Sequence, residues 1–237
     1  MSYKKRVDGR DFHELRKIEA KVGIIPNARG SAYFKIGKTE AYSSVYGPRE
    51  LYPSFLQDPT KAMLRCNYNM MPFSGSGDRV RPGPSRRSKE ISMVTEKALL
   101  PVLDLDSYPN TVVDVFVELS QTDAGSRCAG ICAASMALAD AGIVMTDLIS
   151  AVSVGKVDDK IVVDLDYEEE ALDAEVSDIP VAMIPSTGEI TLLQMDGIID
   201  KKTLLNALKI IKEPLLKINE IQKKALKKKF EIQGAKK

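Results

Sequence analysis

The stretch that most constrains this chain runs from Asp123 to Gly142: a polar turn, Asp-Ala-Gly-Ser-Arg, followed by almost nothing but small apolar residues. Alanine is the strongest helix former, so Ala129 to Ala141 is expected to be helical despite Gly130. Gly142 fits the left-handed residue that ends a helix. Side chains this small let a helix lie very close to a neighbouring sheet. The turn Asp123–Arg127 then falls at the N-terminus of a buried helix, where unpaired N–H groups and the positive end of the macrodipole collect. Gly125 lets backbone approach an anion, Ser126 adds a hydroxyl donor, and Arg127 adds a two-pronged guanidinium. The stretch fits an oxyanion site, phosphate above all; it also fits a capped core helix with a surface arginine.

The alternating segment Thr111–Ser120 places a strand directly before this turn, and strand, turn and helix in that order is a recognised place for a phosphate. The net charge of +1 advertises no global field for nucleic acid, so any basic site must be local. A length of 237 residues and 44% hydrophobic content suit one large α/β domain or two small lobes. No apolar run is long enough to span a membrane, and no apolar segment follows the basic N-terminus as a secretory signal would require. Cys66, Cys128 and Cys132 are an odd, small set, which argues for reduced thiols and a cytoplasmic location. Cys128 and Cys132 lie one helical turn apart but lack the partners of a four-ligand zinc site, and read as small core residues.

The single histidine, His13, would have to serve any Ser-His-Asp or Cys-His catalyst, and its neighbours Phe12, Glu14 and Arg16 suggest none. Segments Lys17–Ile24, Ser31–Ile36 and Glu40–Tyr46 read as an antiparallel meander. Gly37-Lys38-Thr39 lacks the earlier glycine of a nucleotide-binding loop and reads as a hairpin turn. Lys61–Met71 reads as a strand with Arg65, Asn67 and Asn69 on one face and Tyr68 on the other. A flexible loop, Phe73–Ser85, follows. Ser85 is a good N-cap, which places Arg86 and Arg87 in the first turn of a helix reaching Leu100. Cations are disfavoured there by the dipole, and an anionic ligand would reverse the penalty.

After Gly142 the pattern begins again, with strands expected at Leu148–Val154, Lys160–Asp166, Ile179–Ile184 and Glu189–Met195. Asp166–Asp178 holds seven carboxylates in thirteen residues. Asp173 and Asp178 lie against an apolar strand, where a carboxylate could bind a divalent ion or protonate a leaving oxygen. Lys201–Phe230 is expected to be helical, kinked or split by Pro214. Its basic end, Lys223–Lys229, reads as a solvated tail rather than an RNA clamp.

Six segments occur in order: Val7–Arg10, Val45–Arg49, Tyr68–Ser74, Pro84–Arg87, Gln121–Arg127 and Asp178–Ala182. Together they resemble the RNase PH family of phosphorolytic exoribonucleases, over about Arg6 to Lys229, and most of all its catalytic members in archaeal exosome-type rings. The resemblance implies an α+β, RNase PH-like (ribosomal protein S5 domain 2-like) fold of two βαβ-like lobes, with mixed sheets packed on helices. The first lobe would span 1–145 with the phosphate and RNA motifs, the second 146–237 with the acidic segment and C-terminal helices. It implies removal of nucleotides from an RNA 3′ end by inorganic phosphate as co-substrate, reversible to tailing. As partners it implies a second, non-catalytic RNase PH-type subunit in a hexameric ring, and RNA-binding cap subunits.

Carried over by residue, Gly125, Ser126 and Arg127 match the phosphate turn. Arg86 and Arg87 match the arginines that hold the RNA's terminal phosphates, Tyr68 an aromatic on which a base stacks, and Lys61 a channel-neck segment. Asp178 matches the second acidic residue of the catalytic region. The first falls on Leu172 by strict count; Asp173 is the preferred substitute and Glu170 the alternative. Asp178 and Asp173 are also the candidates to hold magnesium. A non-catalytic RNA-binding ring subunit and a homohexameric tRNA-trimming RNase PH are the alternative readings.

Overall fold

A computed structural model describes residues 3–172 and 175–234, with side chains through Glu231. Strands β1 (Ile18–Val22), β2 (Gly30–Ile36), β3 (Thr39–Glu50), β4 (Met63–Met70) and β5 (Thr111–Gln121) form one sheet in the order β1-β2-β3-β5-β4. The first three are the expected meander, and β3 runs antiparallel to β5. β4 is parallel to β5, so the helix between them, α1 (Arg86–Leu99), is a crossover of βαβ type. The second sheet, from β6 (Ser150–Val157), β7 (Lys160–Val163), β8 (Val176–Ile184) and β9 (Glu189–Leu193), has the order β7-β6-β8-β9. It is antiparallel throughout, not mixed as expected for both lobes.

Helix α2 (Ser126–Asp140) lies between the two sheets, touching β2, β3 and β5 on one side and β6 and β8 on the other. Every residue from Cys128 to Leu138 is buried, so no polar stripe marks this helix. The close approach also needs a glycine on the sheet side: a Cβ on Gly30 of β2 would stand 2.2 Å from the Ala141 nitrogen, inside any permitted contact. The helix begins three residues earlier than alanine content alone predicts, because the turn leads straight into it. Its end is the expected one. Gly142 has φ +72°, its N–H donates to the Ala139 carbonyl, and the Ile143 N–H reaches Leu138, the paired bonds of a Schellman motif.

The chain ends in α4 (Lys201–Ile210) and α5 (Lys212–Gly234). The break falls at Ile211, which leaves Pro214 in the first turn of α5, where its missing N–H has no intrahelical partner to lose. The expected strand Lys160–Asp166 stops at Val163. Asp164 turns to φ +56°, and Asp166 caps a short helix, α3 (Tyr167–Glu170), through a capping box with Glu169. The cysteines are free and buried, and burial raises the Cys128 and Cys132 thiols, which leaves them unreactive. His13 is exposed. None of the described helices is long and apolar enough to cross a membrane.

Candidate active site

The turn before α2 is held from behind. The Thr39 hydroxyl donates to the Ala124 carbonyl at 2.8 Å and accepts from the Asp123 N–H at 3.1 Å. Arg16, nearly buried, donates to the same carbonyl and reaches the Asp123 carboxylate at 3.2 Å, while its other contacts fall on Asp164. Asp123 also accepts from the Tyr167 N–H, which ties the turn to α3. Gly125, at φ +67°, is the N-cap and makes no side-chain cap, so the first N–H groups of α2 stay open to an incoming anion.

These groups open into a cavity of about 560 Å³ lined by Gly125, Ser126, Arg127, Arg87, Glu170, Asp178 and Gln194. The turn before α2, one arginine of the α1 pair and Asp178 of β8 therefore meet. Arg127 donates to the Gln194 side-chain oxygen, and its closest described carboxylate, Glu90, stands 4.0 Å away. Asp178 on β8 accepts from the Ser153 hydroxyl of β6. Burial raises the Asp178 carboxyl above its ordinary value, with Asp196 adding to the rise and Ser153 and Arg127 opposing it. Glu170 is pushed up to about 7 by burial and then by Asp178. Two carboxyls raised above their ordinary values, Glu170 to about 7, thus face an arginine and a helix N-terminus, a pairing suited to proton transfer beside a bound anion.

Asp173 lies outside the described residues. Glu170, the alternative by residue count, lines the cavity with Asp178, as do Glu90, Asp123 and Asp196. It is held there by the neighbouring Glu169, whose carboxylate meets Arg6 at 2.6 Å with both side chains fully buried. Arg6 further donates to the Val163 and Asp164 carbonyls, so the N-terminal Arg-Val-Asp-Gly-Arg segment clasps α3.

Arg87 lines a second cavity as well, about 390 Å³, with Tyr68, Asn69, Arg81 and Ser126. Arg86 is exposed and lines neither, because one residue along a helix turns the side chain by about 100°. Tyr68 is 4% exposed, packs its ring near Gly130 of α2 and still lines the second cavity beside Arg87. Lys61 precedes β4, about 23 Å of extended chain from Tyr68, and lines a separate cavity beside Asp58 and Glu96. Ser153 and Gln194 carried no local signal: one is a serine in a valine-rich strand, the other a polar residue after β9.

The chain matches the family described as "3' exoribonuclease family, domain 1" over residues 14–144 and "domain 2" over residues 147–213. It is 48% identical to the exosome complex component Rrp41 of Pyrococcus furiosus, over 98% of this chain and 93% of that one. With the protein of the same name from Methanopyrus kandleri it shares 47% identity, over 95% of this chain and 93% of the other. The crystal structure of rice (Oryza sativa) Rrp46 superposes with a TM-score of 0.83 at 22% identity, covering 94% of this chain and 100% of that one, which shows a common fold. The ordered motifs, the two-sheet architecture and these matches agree: the chain belongs to the RNase PH family of 3′ exoribonucleases.

Proposed function

We propose that this chain is the catalytic RNase PH-type subunit of an exosome-type ring, shortening RNA from its 3′ end with inorganic phosphate. Its near relatives carry the name exosome complex component over almost their full length. The observation that carries the reading is the cavity itself: an open helix N-terminus and Arg127 on one side, the two raised carboxyls Glu170 and Asp178 on the other. Among the residues lining it there is no histidine or cysteine to act as or activate a nucleophile. The nucleophile therefore arrives with the substrate.

Phosphate held by the Ser126 and Arg127 end of α2 attacks the phosphorus of the last phosphodiester. The P–O3′ bond breaks, the terminal nucleotide leaves as a nucleoside diphosphate, and the 3′ oxygen of the shortened chain takes a proton. Arg127, Arg87 and the helix dipole offset the repulsion between the two anions. The Glu170–Asp178 pair supplies the proton to the 3′ oxygen. Run backwards, the same groups add nucleotides from diphosphates. Among the described residues no group of three or more His, Cys, Asp or Glu side chains converges as a protein-only metal site. Magnesium fits here only in its common form, held by Asp178 together with substrate phosphate oxygens, where it would stabilise charge on the leaving oxygen.

In this reading Arg86 and Arg87 meet the RNA backbone, with Arg87 reaching the reaction centre and Arg86 the strand behind it. Lys61 belongs to a remote contact along the RNA path. Lobes 1–145 and 146–237 each supply one wall of the site. A second, non-catalytic RNase PH-type subunit completes the ring, RNA-binding cap subunits cover one face, and the free thiols suit the cytoplasm. The test incubates the assembled ring with end-labelled RNA, with and without phosphate. Phosphate-dependent release of nucleoside diphosphates is expected, and Arg127→Glu should abolish it. Monophosphate products, or a fully active Arg127→Glu ring, would refute the proposal.

A further inference from the structure

Four arginines of this chain meet carboxylates at 2.6–2.7 Å. Arg6 and Arg16 are buried against carboxylates, at 2.6 Å from Glu169 and 2.7 Å from Asp164. Arg49 and Arg65 share Asp114, at 2.6 Å and 2.7 Å. The charge of each is matched by direct contact. Arg127 is held differently: its direct hydrogen bond goes to the neutral amide of Gln194, and Glu90 stands farther off at 4.0 Å.

Gln194 spans two groups of opposite character. Its side-chain oxygen accepts from Arg127 Nη1, and its Nε2 donates to Glu90 Oε1 at 3.0 Å. A guanidinium only donates and a carboxylate only accepts, so one orientation of the amide satisfies both. The backbone of Gln194 is fixed as well, its N–H donating to the Pro180 carbonyl at 3.2 Å, two residues beyond Asp178 on β8. Glu90 lies on α1 one turn after Arg86 and Arg87. The bridge therefore joins α1, the end of β9 and the start of α2 around the cavity.

We infer that Gln194 is a positioning residue for the phosphate half of the reaction: it holds the Arg127 guanidinium at the helix N-terminus without neutralising it. This rests on the reading of Arg127 as a phosphate ligand. A carboxylate in the same place would hold Arg127 equally well and compete with the incoming anion. An apolar residue would leave the guanidinium to be ordered by each phosphate that binds.

The test measures phosphorolysis by the assembled ring against phosphate and RNA concentration separately. Gln194→Ala should raise the KM for phosphate about three- to tenfold, the range expected from ordering one long side chain. Gln194→Glu should raise it further, and the KM for RNA should move in neither. Adding Glu90→Gln to Gln194→Glu restores a complete hydrogen-bond chain with the amide and carboxylate exchanged. The phosphate KM should nevertheless stay high, because the charge still lies on Arg127, whereas a purely structural bridge would be rescued. Unchanged phosphate KM in both single variants, or rescue in the double variant, overturns the inference while phosphate dependence of the unaltered ring leaves the parent reading intact. An unaltered ring with no phosphate dependence overturns both.

Discussion

Glu170→Gln tests the acid pair most directly. A glutamate carboxyl in water titrates near 4.5, whereas Glu170 in this cavity is pushed up to about 7 by burial and the neighbouring Asp178. At one unit below that value roughly nine in ten copies carry the proton, and at one unit above roughly one in ten. If the protonated pair feeds the 3′ oxygen, the rate with the native residue should decline about tenfold per unit above pH 7. The glutamine variant keeps the size of the side chain but has no proton to give. Loss of a general acid lowers the rate about 10²–10⁴-fold, so the native-to-variant ratio should be large near pH 6, fall about tenfold per unit above pH 7, and approach one only at about pH 9–11. Phosphate itself titrates nearby, but it does so in both proteins and cancels in the ratio. The assay is initial diphosphate release by the assembled ring at saturating phosphate across that range. A ratio independent of pH would refute the assignment. The same group has a stability signature of defined sign. Because its folded value lies above the unfolded one, folding takes up a proton between about pH 4.5 and 7. The corresponding stability is present below that window and is lost as pH rises through 7, and Glu170→Gln should remove this dependence.

Three further perturbations follow from the packing. Arg127→Ala should lower kcat/KM about 10²–10³-fold, the usual effect of deleting one preorganised donor at a developing anion, read as diphosphate release at fixed RNA. Arg6→Ala leaves the fully buried Glu169 carboxylate unmatched and should destabilise the fold by about 3–5 kcal/mol; denaturant unfolding measures it, and Arg6→Met with Glu169→Leu should recover part of the loss. Gly30→Ala forces a Cβ to 2.2 Å from the backbone of the α2 end and should lower the unfolding midpoint, by about 1–3 kcal/mol or more of stability; a thermal melt unchanged from the native chain would contradict the close approach.

Local chemistry was legible where one stretch of chain carries the whole cause. Alanine content and Gly142 define α2 and its end, Ser85 caps α1, and the turn residues separate β1, β2 and β3. The turn Asp123–Arg127 stood out because its donors are consecutive. The ordered motifs also pointed to the family. What the chain alone did not determine is which side chains meet across its length. Arg127 and Gln194 are 67 positions apart, and Ser153 and Asp178 meet only because β6 pairs with β8. Strand β7 ends at Val163 rather than Asp166 because Arg6 and Arg16, far upstream, take the Asp164 carbonyl and carboxylate. Tyr68 alternates onto the inner face of β4 and packs near Gly130 of α2, a burial that the sequence did not signal. Periodicity and capping act within a few residues and can be read along the chain. The raised carboxyls, the uncancelled guanidinium and the amide that holds it arise from distances in space, and those exist only once both sheets have closed on the helix between them.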